Sequence, residues 1–84
     1  MENGALIEVL YFARVAEHTG TRHETVPLAT PTPAGEWLQS LVDRFPSLAP
    51  ASHLKLAINQ QHALASDLIR PGDEVAVFDP VTGG

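Results

Sequence analysis

The chain predicts an α+β fold, with one main helix laid on one face of a sheet, and three observations carry the prediction. Runs rich in β-branched and aromatic residues occur at Leu6–Phe12, Leu54–Ile58 and Glu74–Phe78, the composition of strands. One stretch, Trp37 to Phe45, places its apolar residues at one-face helical spacing. Turn residues at Gly20, Pro46 and Pro71-Gly72 separate these pieces. With 84 residues the chain has room for one small domain.

Met1 to Gly4 reads as a loose arm before the first strand. Side chains alternate along a strand, so with Glu8 in water Ile7, Val9 and Tyr11 face the core. Leu10 and Phe12 then share the outer face with Glu8. Arg14 to Gly20 predicts a short helical turn closed by Gly20, which tolerates the left-handed cap. Thr21 to Leu28 predicts a second strand, antiparallel to the first, with Pro27 marking an edge or an end. A Pro/Thr-rich loop follows. Thr32 is expected to cap the main helix with Pro33 in its first position. Trp37, Leu38, Leu41, Val42 and Phe45 form the apolar face, with Gln39, Asp43 and Arg44 opposite. Phe45-Pro46 ends the helix, since a residue before proline avoids the α region. Ser47 to Ser52 reads as a loop. Leu54, Leu56 and Ile58 point inward from a third strand. Asn59-Gln60-Gln61 is expected to turn into a short apolar piece near Ala63-Leu64. Arg70-Pro71-Gly72-Asp73 suits a type II turn, and the last strand, Glu74–Phe78, turns Val75 and Val77 toward the helix.

A hairpin, one long helix, and strands returning to the sheet resemble the β-grasp or ubiquitin-like fold, in which a single helix crosses one face of a mixed sheet. Ferredoxin-like α+β layouts share part of this order. If the first and last strands are neighbours, Phe12 and Phe78 meet on the helix-free face with Leu10, Ala57 and Ala76 around them. An apolar patch on such a face marks a partner site.

Composition narrows the function. A formal charge of −5 opposes a phosphate-binding nucleic-acid module, which needs a basic stripe. Cysteine is absent, which removes disulfides, thiolate metal sites and a thiol nucleophile. No apolar run approaches the roughly 20 residues of a membrane span, and a soluble, cytoplasmic protein is expected. His18, His23, His53 and His62 show no metal-ligand spacing, so no metal site is expected. Asp67, Asp73, Glu74 and Asp79 read mainly as surface charge, and none of the serines has a nucleophile-elbow context. The distinctive chemical group is the carboxylate of Gly84. Two terminal glycines add no packing and lose the most backbone freedom on ordering, yet they make a slim end able to enter a narrow cleft. Frayed chain ends offer the plainer explanation. Residues 1–79 are thus expected as the folded domain and 80–84 as a flexible tail. From Asp79 its extended reach is roughly 20 Å.

The segments Ile7-Glu8-Val9-Leu10-Tyr11-Phe12-Ala13-Arg14, Ala57-Ile58-Asn59-Gln60 and Gly72-Asp73-Glu74-Val75-Ala76-Val77-Phe78-Asp79-Pro80-Val81-Thr82-Gly83-Gly84 resemble the MoaD-like small subunits of molybdopterin synthase, a branch of the ubiquitin-like sulfur carriers. The resemblance spans nearly the whole chain. It implies that Gly84 is adenylated by an E1-like (MoeB-like) enzyme using ATP and Mg and converted to a thiocarboxylate with sulfur from a donor protein. Sulfur then passes to cyclic pyranopterin monophosphate to build the dithiolene of molybdopterin. It further implies that Val81, Thr82 and Gly83 thread the pocket of a MoaE-like large subunit, in a heterotetramer of two small and two large chains. Leu10, Phe12, Ala76 and Phe78 would form the docking patch. The chain itself would bind no cofactor and would not be catalytic alone. Gln61 and His62 stand where family members can carry an apolar residue, which weighs against docking through the short strand that follows. Three alternatives stay open: a sulfur carrier for thiamine or another pathway, a ubiquitin-like modifier of lysines, and an interaction domain whose tail is incidental.

Overall fold

The computed structural model describes residues 5–80. Five strands form one mixed sheet in the order β2-β1-β7-β4-β5: β1 (Leu6–Tyr11), β2 (His23–Pro27), β4 (Lys55–Ile58), β5 (Gln61–Ala63) and β7 (Glu74–Phe78). β1 and β7 run parallel at the centre, and the other neighbours are antiparallel. Helix α1 (Ala13–Thr19) follows β1, and the longer α2 (Ala34–Arg44) covers one face. A separate two-stranded ribbon pairs β3 (Thr32–Pro33) with β6 (Leu68–Ile69). This is the β-grasp arrangement expected from the element order.

The apolar periodicities meet in one core. Ile7, Val9 and Tyr11 of β1, Val75 and Val77 of β7 and Leu56 of β4 face Ala34, Trp37, Leu38, Leu41 and Val42 of α2. Each fully buried Val, Leu or Ile contributes about 1.5–3 kcal/mol relative to exposure. Ile58 and Phe45 pack at the margin, half-buried. Two buried residues come from segments that show no periodicity in sequence. Leu48 enters from the first of two 3-10 turns (Pro46–Leu48 and Ala51–His53), where a loop was expected, and Ile69 enters from β6.

Local geometry corrects three expectations. Thr32 does not cap α2, because Thr32 and Pro33 pair with Ile69 and Leu68, leaving Pro33 at the cap position. The first free helix donors are satisfied from a remote segment instead: Ala34 N–H donates to Asp67 O at 2.8 Å and Gly35 N–H to Ala65 O at 2.9 Å. A side chain at Gly35 would bring its Cβ within 3.0 Å of Ala65 Cβ. β1 stops at Tyr11, and Phe12 is the residue before α1. The β4–β5 turn holds only Asn59 and Gln60, with φ of 50° and 72°, the positive pair a type I′ hairpin needs, while Gln61 already belongs to β5.

Asn59 explains two of the sequence segments at once. Its Nδ2 donates to Asp73 Oδ1 and its Oδ1 accepts from Glu74 N–H, both at 3.0 Å. The hairpin is thereby bonded to the Pro71-Gly72 turn, where Gly72 has φ 93° and Asp73 N–H donates to Arg70 O, the geometry of a type II turn.

One polar network ties α2 to the sheet. Tyr11 Oη donates to Glu24 Oε1 at 2.6 Å, and Arg44 at the end of α2 reaches both Glu24 oxygens at 3.3 and 2.9 Å. Burial, then the neighbouring Glu24, holds the Tyr11 phenol above its usual range. The Arg44 guanidinium, then the Tyr11 hydroxyl, holds the Glu24 carboxyl below the usual carboxylate value.

Candidate functional site

Strand register lays out the helix-free face in three rows. At one end Thr25, Glu8 and Glu74 stand side by side, with Asn59 beyond them in its turn. Glu8 takes hydrogen bonds from Thr25 and pairs with the His23 ring. The middle row runs His23, Leu10, Ala76, Ala57 and His62 across all five strands. At the far end Phe78 stands opposite Lys55, and Phe12 N–H donates to Val77 O at 3.2 Å. The carboxylates of Glu8 and Glu74 therefore stand at one end of the face and Phe78 and Phe12 at the end where β7 leaves the sheet.

Leu10, Ala57, Ala76 and Phe78 are half-buried, while Phe12 is 49% exposed. A groove of about 770 Å³ opens beside Phe12, lined by Leu10, Ala13, Ala16, Arg22 and His23 among others. Phe78 has its aromatic partner in His62, with ring centroids 5.5 Å apart and planes at 89°. Edge-to-face packing of this kind is favourable beyond the area it buries. His62 thus falls on the same face as Leu10 and Ala76, against Phe78.

Beyond β7 the chain is held once more before the C-terminal segment. Arg14 of α1 donates to Asp79 Oδ2 at 2.6 Å, and the Asp79 side chain is 18% exposed. Of the other acidic residues near this end, Asp67 accepts from Leu64 N–H and Asp73 from Arg70 N–H, both at 2.8 Å. These two carboxylates close turns. Of the residues singled out in sequence, Leu10, Ala76 and Phe78 are brought onto one face with Phe12 at its end. Val81, Thr82, Gly83 and Gly84 lie outside the described residues. His62, read from the sequence as a solvated histidine, stands opposite Ala57 on this face. Among the described residues no three His, Asp or Glu side chains converge as a metal site, and no helix is long and apolar enough to cross a membrane.

The model of the ThiS family matches residues 9–84. The molybdopterin synthase sulfur carrier subunit of Homo sapiens is 37% identical over 82 residues, with 93% of each chain covered. The protein of the same name from Escherichia coli (strain K12) is 36% identical over 81 residues, covering 94% of this chain and all of the other. Among solved structures, small archaeal modifier protein 1 of H. volcanii superimposes with a TM-score of 0.74 at 30% identity, covering 93% of this chain and 100% of that one.

Proposed function

This chain belongs to the ThiS family of MoaD-like, ubiquitin-like sulfur carriers, and from that membership we propose that it is the sulfur carrier subunit of a molybdopterin synthase. The observation that carries the reading is the near-full-length likeness to carriers of that name in human and bacterial proteins. The layout of the face supports it, because Phe78 and Phe12 lie at the end of the sheet from which the chain runs on to residues 80–84. Docking there aims the C-terminal segment at the docked protein.

The chemistry follows from the carboxylate. A carboxylate is a poor acyl donor until it gains a leaving group. An E1-like enzyme, using ATP and Mg, joins the Gly84 carboxylate to AMP with release of pyrophosphate, and sulfide-level sulfur delivered by a donor protein attacks the acyl carbon and expels AMP, leaving a thiocarboxylate. Residues 1–79 act as the carrier body and 80–84 as the delivered arm. Val81, Thr82 and Gly83 thread the large subunit, where glycine leaves room that a Cβ would fill. Sulfur passes to cyclic pyranopterin monophosphate, and two transfers complete the dithiolene in a heterotetramer of two small and two large subunits. Leu10, Phe12, Ala76 and Phe78 form the docking patch.

Intact-mass measurement after incubation with an activating enzyme, ATP, Mg and a sulfur donor tests the reading directly. One oxygen replaced by sulfur is expected, and a variant lacking Gly84 should stay unchanged. A full-length chain that stays unloaded by an activator able to load another carrier overturns the proposal. The likeness to an archaeal protein named a modifier favours one second reading, in which the same activated glycine acylates lysine amines. Lysine-linked adducts in place of dithiolene, when the large subunit and cyclic pyranopterin monophosphate are supplied, would select it.

A further inference from the structure

We propose that Arg14 is a positioning residue for the chemistry at Gly84: its ion pair with Asp79 fixes the pivot from which residues 80–84 leave the body. This rests on the reading above that Gly84 is the reacting end. Arg14 Nη1 lies 2.6 Å from Asp79 Oδ2, and the Asp79 side chain is only 18% exposed although β7 has ended at Phe78. The place of Arg14 is set by the turn from β1 into α1. Phe12 N–H donates to Val77 O, Val15 N–H donates to Phe12 O at 3.0 Å, and the Val15 side chain is fully buried. Between them Ala13 takes φ 48°, a left-handed conformation that costs energy in a residue with a Cβ and persists only where the surroundings impose it. Arg14, the second residue of α1, is thereby held beside the end of β7.

Constraints then fall on successive residues. The ion pair holds the Asp79 side chain, the proline that follows keeps Asp79 out of the α region, and the ring of Pro80 fixes its own φ. Beyond Pro80, residues 81–84 span at most about 14 Å. A swing of about 10° at the pivot carries an end at that distance by about 2 Å, and displacements of that size are costly where a reacting atom must meet its partner. Without the ion pair, an enzyme that binds the C-terminal segment must immobilise the pivot as well. With it, that ordering is complete in the free chain, and the binding energy is kept for the segment itself. Among the described residues Asp79 is the one carboxylate that Arg14 reaches, since Glu24 is held by Arg44 and Glu8 by His23. The Arg14 side chain is 52% exposed, and solvent screening of such a pair limits its effect to a modest factor.

Two measurements on the full chain test this: activation by a purified E1-like enzyme with ATP and Mg, followed as pyrophosphate release, and backbone amide relaxation of the free chain by NMR. Arg14→Gln and Asp79→Asn should each lower kcat/KM for activation about three- to fivefold. The double variant should do no worse than either single one, because both changes remove the same interaction. In Arg14→Gln the order parameter of the Asp79 amide should fall while those of Val75 and Val77 hold, a local change that general destabilisation does not produce. Circular dichroism of each variant checks the fold, which the near-isosteric amides at these positions leave intact. If the losses multiply in the double variant, the two residues meet the enzyme separately and the inference is overturned. Unchanged activation of both single variants, or unchanged order at Asp79, also overturns it and leaves Gly84 as the reacting end. A wild-type chain that stays inert with an enzyme able to activate another carrier overturns the functional reading and this inference together.

Discussion

Tyr11 shows how one residue serves both layers of the molecule. Its ring lies in the core at 2% exposure, while its hydroxyl donates to Glu24, which Arg44 also holds. The hydroxyl thus has its partner inside the protein, avoiding the cost of an unsatisfied buried donor. Tyr11→Phe removes this bond and leaves Glu24 paired with Arg44, so a loss of about 0.5–1.5 kcal/mol is expected in urea unfolding. Glu24 has a pH signature. Its carboxyl sits below the ordinary value of 4.5 when folded, so its stabilisation is in place above that value and is lost as pH falls through the folded one. Unfolding midpoints measured between about pH 6 and 3 should fall less steeply for Glu24→Gln than for wild type; equal slopes would remove Glu24 from the acid response.

At the scale of elements, the turns and edges are where the fold is specified. The β4–β5 hairpin needs positive φ at Asn59 and Gln60, and Asn59 also bonds to Asp73 and Glu74 N–H. Asn59→Ala loses those bonds and retains the backbone strain, for an expected cost of about 1–3 kcal/mol. Asn59→Gly loses the bonds and relieves the strain, so it should be the milder variant in thermal unfolding. Equal losses would show that the turn conformation carries no strain. Both sheet edges are blunted. On β2 the outward N–H and C=O of His23 are taken by Thr21 Oγ1, and Pro27 has no N–H to offer. The other edge, β5, is three residues long. Short edges and missing donors discourage strand addition between copies, which suits a protein proposed to meet partners through its face.

The whole molecule divides its tasks between two sides of one sheet. One face is packed under α2 and sets stability, and the other carries Leu10, Ala76 and Phe78 with His62 and Lys55 beside them. Because Phe78 is only half-buried and outside the core, Phe78→Glu should keep the fold and lower stability by only about 0.5–1.5 kcal/mol, the worth of its edge-to-face contact with His62. The same substitution should cost about tenfold or more in binding to the large subunit, as loss of a central aromatic anchor does. An undiminished complex on gel filtration would remove the patch from the docking reading. Arg14 and Asp79 join α1 to the residue after β7, so the segment that starts at Pro80 leaves from a fixed point on the body.

Strand faces, the α2 face and the type II turn could be read from residues because side-chain alternation, helical spacing and the φ tolerance of glycine are local properties of the chain. Ile7, Val9 and Tyr11 are buried for that reason, and so are Val75 and Val77. The C-terminal motif was legible in the same way and carried the family resemblance. Three features were not. The start of α2 is satisfied by carbonyls of Ala65 and Asp67, about thirty positions away, and nothing next to Thr32 reveals that supply. Leu48 and Ile69 lie in elements of three and two residues, too short for any period to announce their burial. His62 meets Phe78 only because β5 folds back on β4 and β4 pairs with β7. Local order was written in the sequence; partners brought together from distant positions were decided by the tertiary structure, because proximity across a sheet depends on register and leaves no mark on the residues between.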